Sequence, residues 1–245
     1  MANQTSILKN IRLPLSLKEI AYQSIKEAIL ARKIKAGNVY NEGALAKELG
    51  ISKTPVREAL LSLASKGFLT FLPRKGFQIN VLGEKDICDL FDFRMALEMA
   101  VIRIIAPKVN DELIEELEAV SSKGRKVINV NDSIGFLKLG KEFHLDLASL
   151  TQNQYIISSL QNCRDLIDWT CAPTLARRER FEEVMYEHGA IIERLRNRDV
   201  PGAVAAMEEH IRITRNKALL HMVKLNNSLN GRSAVNRGSS LLTRV

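Results

Sequence analysis

Cysteine, histidine and aromatic residues are all scarce in this 245-residue sequence. The three cysteines, Cys88, Cys163 and Cys171, are scattered and odd in number. That argues against a disulfide framework and fits a reducing compartment, and each is assigned to packing. Aromatics are few, with one Trp. No apolar run approaches the length of a membrane span, and no secretory signal pattern opens the chain, so a cytoplasmic protein without a membrane partner is expected. The apolar content is ordinary and sufficient for a packed core, and the length suits one or two domains.

Charge is abundant and unevenly placed. The net charge is +8, and residues 1–80 alone hold thirteen Lys/Arg against five Glu, so the whole surplus lies there. The other 165 residues sum to zero, and setting aside Arg232, Arg237 and Arg244 of the tail leaves residues 81–225 at −3. A basic module joined to a mildly acidic one fits a phosphate-binding domain followed by a regulatory one. A merely solvated basic face would carry the same charge, and the motif spacing decides between them.

The motif lies in NEGALAKELGISKTPVREALLSLASKGFLTFLPRKGFQINV, Asn41 to Val81. A short helix is predicted from Asn41 to Leu49, closed by Gly50. Ser52 or Thr54 can cap a second helix, with Pro55 in its first turn. Val56, Ala59, Leu60 and Leu63 fall at i, i+3, i+4 and i+7, one buried stripe. Lys53, Thr54 and Arg57 lie off that stripe near the start of the helix. Two helices, a tight turn and basic groups at the start of the second are features of a helix-turn-helix recognition element. Residues 68–72 and 77–81 then read as a hairpin with a basic tip at Pro73-Arg74-Lys75-Gly76, the wing of a winged helix. Upstream, Ser16-x-x-Glu19 is a capping box that opens a first helix ending near Ala31. Residues 1–13 are polar and expected to be mobile, and the winged domain is expected to span 14–82.

This run, ELGISKTPVREALLSLASKGFL followed by RKGF, resembles the DNA-binding domain of GntR-type bacterial transcription regulators. The resemblance implies that Arg57 reaches a base edge, that Thr54 donates to a phosphate, and that Arg74, Lys75 and Gly76 bring the wing to the minor groove or backbone. Lys53 stands where the family usually has arginine, so base reading there is softer. Gly43 stands where many relatives carry a polar or basic contact residue.

Beyond the linker Leu82-Gly83 the sequence reads helical throughout. About six helices are predicted, near 84–106, 110–128, 132–151, 153–171, 175–197 and 200–224, with breaks at Pro107, Asn129, Asn153, Pro173 and Asp199-Val200-Pro201. Short connections favour an antiparallel bundle. The fold class is therefore mainly α, a winged helix-turn-helix followed by an all-α bundle over 84–224. The Asn/Ser/Gly-rich segment 225–245 is expected to be disordered. Asp89-Leu90-Phe91-Asp92-Phe93-Arg94 with Leu97-Glu98, Phe143-His144-Leu145-Asp146-Leu147 with Asn153, Glu187-His188 and Ala206-Met207-Glu208-Glu209-His210 resemble the FCD effector domain of the FadR-like branch. Six helices instead of seven point to its VanR-like subgroup.

Three of the four histidines, His144, His188 and His210, lie on three different predicted helices. Neutral imidazoles brought together in a bundle suit Zn, Ni or similar ions. The resemblance makes these three the metal ligands for one divalent ion (Zn, Ni or Mn), with a fourth, aspartate ligand replaced here by Gly140. Without a metal the trio is a polar pocket lining. Arg94, by the same resemblance, faces the effector cavity, where a guanidinium fork suits a carboxylate; a salt bridge to Glu98 at i+4 is its alternative. His221 matches nothing. The sequence thus reads as a repressor-type transcription regulator that binds a pseudopalindromic operator as a homodimer. It is expected to be nucleoid-associated and controlled by a small carboxylate held by Arg94, His144, His188 and His210. The alternatives are a sensor with the metal itself as effector, a metal-dependent enzyme, for which no catalytic base or enzyme motif stands near the trio, and a nucleoid-type binder without a ligand.

Overall fold

The computed structural model describes residues 15–119, 133–175 and 178–238. The expectations for residues 1–13 and for a break at Asn129 lie outside them. The protein is mainly helical and divides into two compact units, Met1–Val81 and Leu82–Val245.

In the first unit, helix α1 (Leu17–Leu30) begins at the capping box. The Glu19 amide donates to Ser16 Oγ at 3.2 Å, and the Ser16 amide donates to the Glu19 carboxylate at 2.8 Å. Helix α2 (Glu42–Leu49) is capped by Asn41, whose Oδ1 accepts from the amides of Gly43 and Ala44. It stops at Gly50, held at φ 67°, a left-handed conformation that costs glycine nothing. Helix α3 (Lys53–Ser65) follows after two residues. Ser52 occupies its N-cap position, but no side chain caps it. The stripe of Val56, Ala59, Leu60 and Leu63 is completely buried, against α1, whose Ala21, Ile25 and Ile29 face inward.

The wing is strands β2 (Leu69–Leu72) and β3 (Gly76–Ile79), antiparallel, with Leu72 opposite Gly76. A third strand, β1 (Val39–Tyr40), pairs with the other edge of β3, giving the order β1-β3-β2. Two residues are too short for any alternation to announce them, so the sequence reading missed β1. Its pairing has a consequence for Gly76, which sits at φ 111°. A Cβ there would lie 2.1 Å from the Tyr40 carbonyl oxygen. The backbone approach that this glycine permits is therefore to β1, inside the protein.

The second unit holds α4 (Glu84–Ile105), a 3-10 turn (Ala106–Lys108), α5 (described over 111–119), α6 (Ser133–Ser149), α7 (Gln154–Leu175), α8 (Arg178–Arg196) and α9 (Val200–Gly238). Helix α4 packs on α6, α7 and α9, and α8 packs on α9. Asn153 and Asp199 cap α7 and α9 by accepting from amides two or three residues on. Two expectations differ from the structure. Pro173 lies inside the last turn of α7, where a proline forfeits one backbone hydrogen bond, and the helix ends two residues later. Helix α9 runs to Gly238, through the start of the segment expected to be disordered. No proline interrupts it after Pro201, and Gly231 and the asparagines cost about 1 kcal/mol or less each.

Removing side chains from the α3 stripe should unfold the first unit. Leu60→Ala should lower its stability by about 2–5 kcal/mol. Urea denaturation checks this, and a loss below about 1 kcal/mol would mean the stripe is not the core.

Candidate functional site

Two sets of side chains stand out. The first is on α3 and the wing. Lys53, Thr54 and Arg57 are exposed, as are Arg74 and Lys75 at the tip of the hairpin, where Arg74 adopts φ 61°. Lys53 and Arg57 are one turn apart, and both reach the first turn of α2. Arg57 Nη1 lies 3.4 Å from Glu42 Oε2, with the arginine side chain 63% exposed. At that exposure the pair is weak and leaves most of the fork open. The Lys53 chain crosses Gly43, where a Cβ would stand 3.0 Å from Lys53 Cε. Glycine at 43 removes one candidate contact of its own and makes room for the lysine. Of the residues assigned to DNA, Gly76 differs from the rest, since the Tyr40 carbonyl already explains its lack of a side chain.

The second set is inside the bundle. His144 on α6, His188 on α8 and His210 on α9 are buried, with one candidate ligand atom from each lying within 4.8 Å of the others. The rings pack at 4.8–5.2 Å between centroids, and Phe143 stacks on His188 at 3.9 Å. Each histidine's pKa is pushed well below its ordinary value, chiefly by burial. Arg94 is the next cause for His144 and His210, and His210 is the next for His188. All three are therefore neutral at pH 7. The contacts of His144 Nδ1 with Glu98 (2.5 Å) and of His210 Nδ1 with Glu187 (2.6 Å) are N–H donations to carboxylates, not ion pairs.

Those two bonds decide which way the lone pairs face. With Nδ1 protonated, Nε2 of His144 and Nε2 of His210 are both acceptors, and they lie 3.2 Å apart. Two lone pairs that close repel unless a cation or a donor stands between them. Arg94 supplies one: its Nη2 lies 3.0 Å from His144 Nε2 and 3.5 Å from His210 Nε2, while its Nε donates to Glu98 at 2.6 Å. The Glu98 pair expected at i+4 is thus present, and the same guanidinium also reaches two of the histidines. Arg94 Nη1 and His188 Nε2 are buried without a hydrogen-bond partner. A buried polar group left unpaired costs about 1–3 kcal/mol.

Two of the three donors, Nε2 of His144 and of His210, stand at the spacing of metal ligands: bonds of about 2.0–2.1 Å at an octahedral or tetrahedral angle put two imidazole nitrogens about 2.8–3.4 Å apart, and carboxylates behind Nδ1 are the usual second layer around metal-bound histidines. Gly140, one turn before His144 on α6, contributes no ligand. A Cβ built there meets nothing within 4 Å among the described residues, so crowding does not impose the glycine.

Residues 17–79 match the bacterial regulatory proteins of the gntR family, and residues 89–213 match the FCD domain. The chain belongs to the GntR family. It is a transcriptional regulator of this family with an FCD effector-binding domain. The YdhC regulator of Bacillus subtilis is 28% identical over 183 residues, 74% of this chain and 82% of that one. The gluconate operon repressor of Bacillus licheniformis is 26% identical, over 71% of this chain and 74% of its own length. Among solved structures, Escherichia coli McbR/YncC shares the fold at a TM-score of 0.73 and 19% identity. It is matched over its full length and covers 86% of this chain.

In this GntR-family chain the sequence reading missed Glu187 as the support of His210, and also Arg180, which is 3% exposed. Arg180 donates from both Nη atoms to Glu187 and from Nη2 to Thr214 Oγ1, fixing the carboxylate that orients His210. It missed Arg164 as well. A signal was present in each case. Arg180, Val184, Glu187, His188 and Ile191 follow helical spacing, as do Leu160, Cys163, Arg164 and Ile167, so the charged residues sit on buried stripes.

The depressed histidines make stability depend on pH in a definite direction. Below the ordinary imidazole pKa near 6.5, the unfolded chain takes up protons that the folded one does not, so stability falls as pH falls below that value. The slope is at most about 1.4 kcal/mol per pH unit for each histidine. Urea melts of metal-free protein between pH 7.5 and 5 should show this loss, and His188→Asn should make it shallower. An unchanged slope would mean that His188 is protonated when folded.

Proposed function

We propose that this regulator is a repressor whose operator affinity responds to a small organic acid bound among Arg94, His144, His188 and His210. The observation that carries this reading is the pair of buried, unpartnered atoms at the trio, Arg94 Nη1 and His188 Nε2. One is a donor suited to a carboxylate, and the other is a ligand atom suited to a metal. His144, His188 and His210 would hold one divalent ion, Zn, Ni or Mn. Such an ion would supply a Lewis-acidic anchor for the acid's oxygens, and Arg94 would offer its guanidinium to the same acid.

On DNA, Arg57 would read a base edge and Lys53 would stand beside it. Thr54, Arg74 and Lys75 would hold phosphates, with Gly76 acting through the shape of the wing. Two copies would place two α3 helices on half-sites of a pseudopalindrome about one helical turn apart. The repressor direction is supported by the relative named as a gluconate operon repressor. A second reading, with the metal itself as the effector, is favoured by the 3.2 Å spacing of the two Nε2 atoms and opposed by the lack of a fourth protein ligand at Gly140.

Elemental analysis of protein purified without an affinity tag tests the metal, with His188→Ala beside it. About one ion per chain, lost in the variant, is expected; no ion in either would make the trio a pocket lining. Gly140→Asp should tighten metal binding at least tenfold, since a Cβ at that position meets nothing within 4 Å among the described residues. On DNA, Arg57→Ala at fixed salt should weaken operator binding by about 1–3 kcal/mol and change non-specific binding little. An equal loss on both would make Arg57 a phosphate contact.

A further inference from the structure

Arg164 lies on α7 and is 7% exposed, yet among the described residues its guanidinium makes no hydrogen bond or ion pair, and its Nε is fully buried. A charge in that position costs several kcal/mol unless something pairs with it. Among the described residues no carboxylate is bonded to it: Asp165 is engaged by Lys141, and Asp168, one turn on, attracts it from beyond ion-pair distance and leaves a buried Oδ1 without a hydrogen bond.

The place of Arg164 is fixed by its neighbour. Cys163 Sγ donates to the Leu90 carbonyl of α4 at 3.4 Å, one turn before Arg94. This turn of α7 is thereby pinned to α4 beside the histidine site. The Arg164 charge is felt at His144, His188 and His210. Its own pKa is lowered first by burial and next by Arg94. Two like charges therefore share one core, and each keeps a buried N–H without an acceptor.

We infer that Arg164 is a second anion subsite, and that the effector is a small acid with two anionic groups, one at Arg94 and the histidines and the other at Arg164. The inference rests on the acid-effector reading and sharpens it. A monocarboxylate would satisfy Arg94 and leave Arg164 without a hydrogen-bonded anion. A dicarboxylate, or a carboxylate bearing a phosphate, satisfies both guanidinium groups. The same chemistry gives selectivity, because a site with a buried charge left unpaired rejects the ligand that lacks the matching group.

Calorimetric titration of the full chain tests this, in parallel on protein stripped with a chelating resin and on protein loaded with equimolar zinc. The probes are butyrate, succinate, glutarate and phosphoglycolate. At least one doubly anionic probe should bind ten times more tightly than butyrate or better. Preference for succinate or glutarate makes the second group a carboxylate, and preference for phosphoglycolate makes it a phosphate. Arg164→Met should bring the doubly anionic probe level with butyrate, and Arg164→Lys should keep part of the preference. Because an unpaired buried charge is removed, Arg164→Met should leave the melting temperature of the ligand-free protein unchanged or raise it. A fall of several degrees would instead make Arg164 a structural partner and overturn the inference. Butyrate and the doubly anionic probes binding equally, in an Arg94-dependent way, would overturn the inference and leave the acid-effector reading standing. Binding of none of the four would overturn both.

Discussion

Two imidazole nitrogens 3.2 Å apart, each with its lone pair turned towards the other, are the constraint around which the bundle is arranged. Glu98 and Glu187 impose it, because each accepts a hydrogen bond from the Nδ1–H of one ring and leaves its Nε2 as an acceptor. Arg180 reinforces it by holding Glu187 with two donors. The arrangement is tolerable only with positive charge at its centre, and Arg94 Nη2 supplies that charge. On the metal reading proposed above, an ion and the guanidinium would compete for the same lone pairs, and an effector would move that balance only by its unequal affinity for the two states.

The DNA-reading unit is organised by a simpler rule. Its core is aliphatic and faces one way, so the opposite face of α3 is free to carry charge. The stripe of Val56, Ala59, Leu60 and Leu63 leaves Lys53 and Arg57 outside, one turn apart, both resting on the start of α2. Packing and charge therefore occupy different faces of one helix. In the bundle they occupy the same faces, and its polar residues had to be paired or left for a ligand.

That difference explains what could be read from the sequence. The helix-turn-helix and the hairpin were legible, because a 3.6-residue period, Gly50 and the basic turn at 73–76 are local signals. The three histidines were legible through their resemblance to a family pattern, and Glu98 through its i+4 spacing from Arg94. Strand β1 was not, since two residues become a strand only by pairing with β3, Val39 with Gln78 and Tyr40 with Phe77, nearly forty positions on. The roles of Arg164, Arg180 and Glu187 were hidden for a related reason. Polar residues in a helix are ordinarily solvent-facing, and these three reveal themselves only when neighbouring helices close over them. The length of α9 was hidden by composition: Asn, Ser and Gly after Leu225 point to disorder, while the lack of proline after Pro201 leaves the helix free to run on to Gly238.

The contact of Gly76 with Tyr40 has a genetic consequence. It ties the turn of the wing to the segment that leads into α2, so the hairpin tip and the start of the helix-turn-helix are parts of one solid. A screen for mutants unable to occupy an operator would collect substitutions at Val39, Tyr40 and Gly76 together with those at Arg57. The first three would look like DNA contacts in such a map. They would be faults in the frame that carries the contacts, recognisable because second-site changes that relieve crowding at Tyr40 would rescue Gly76 substitutions and leave Arg57 substitutions unrescued.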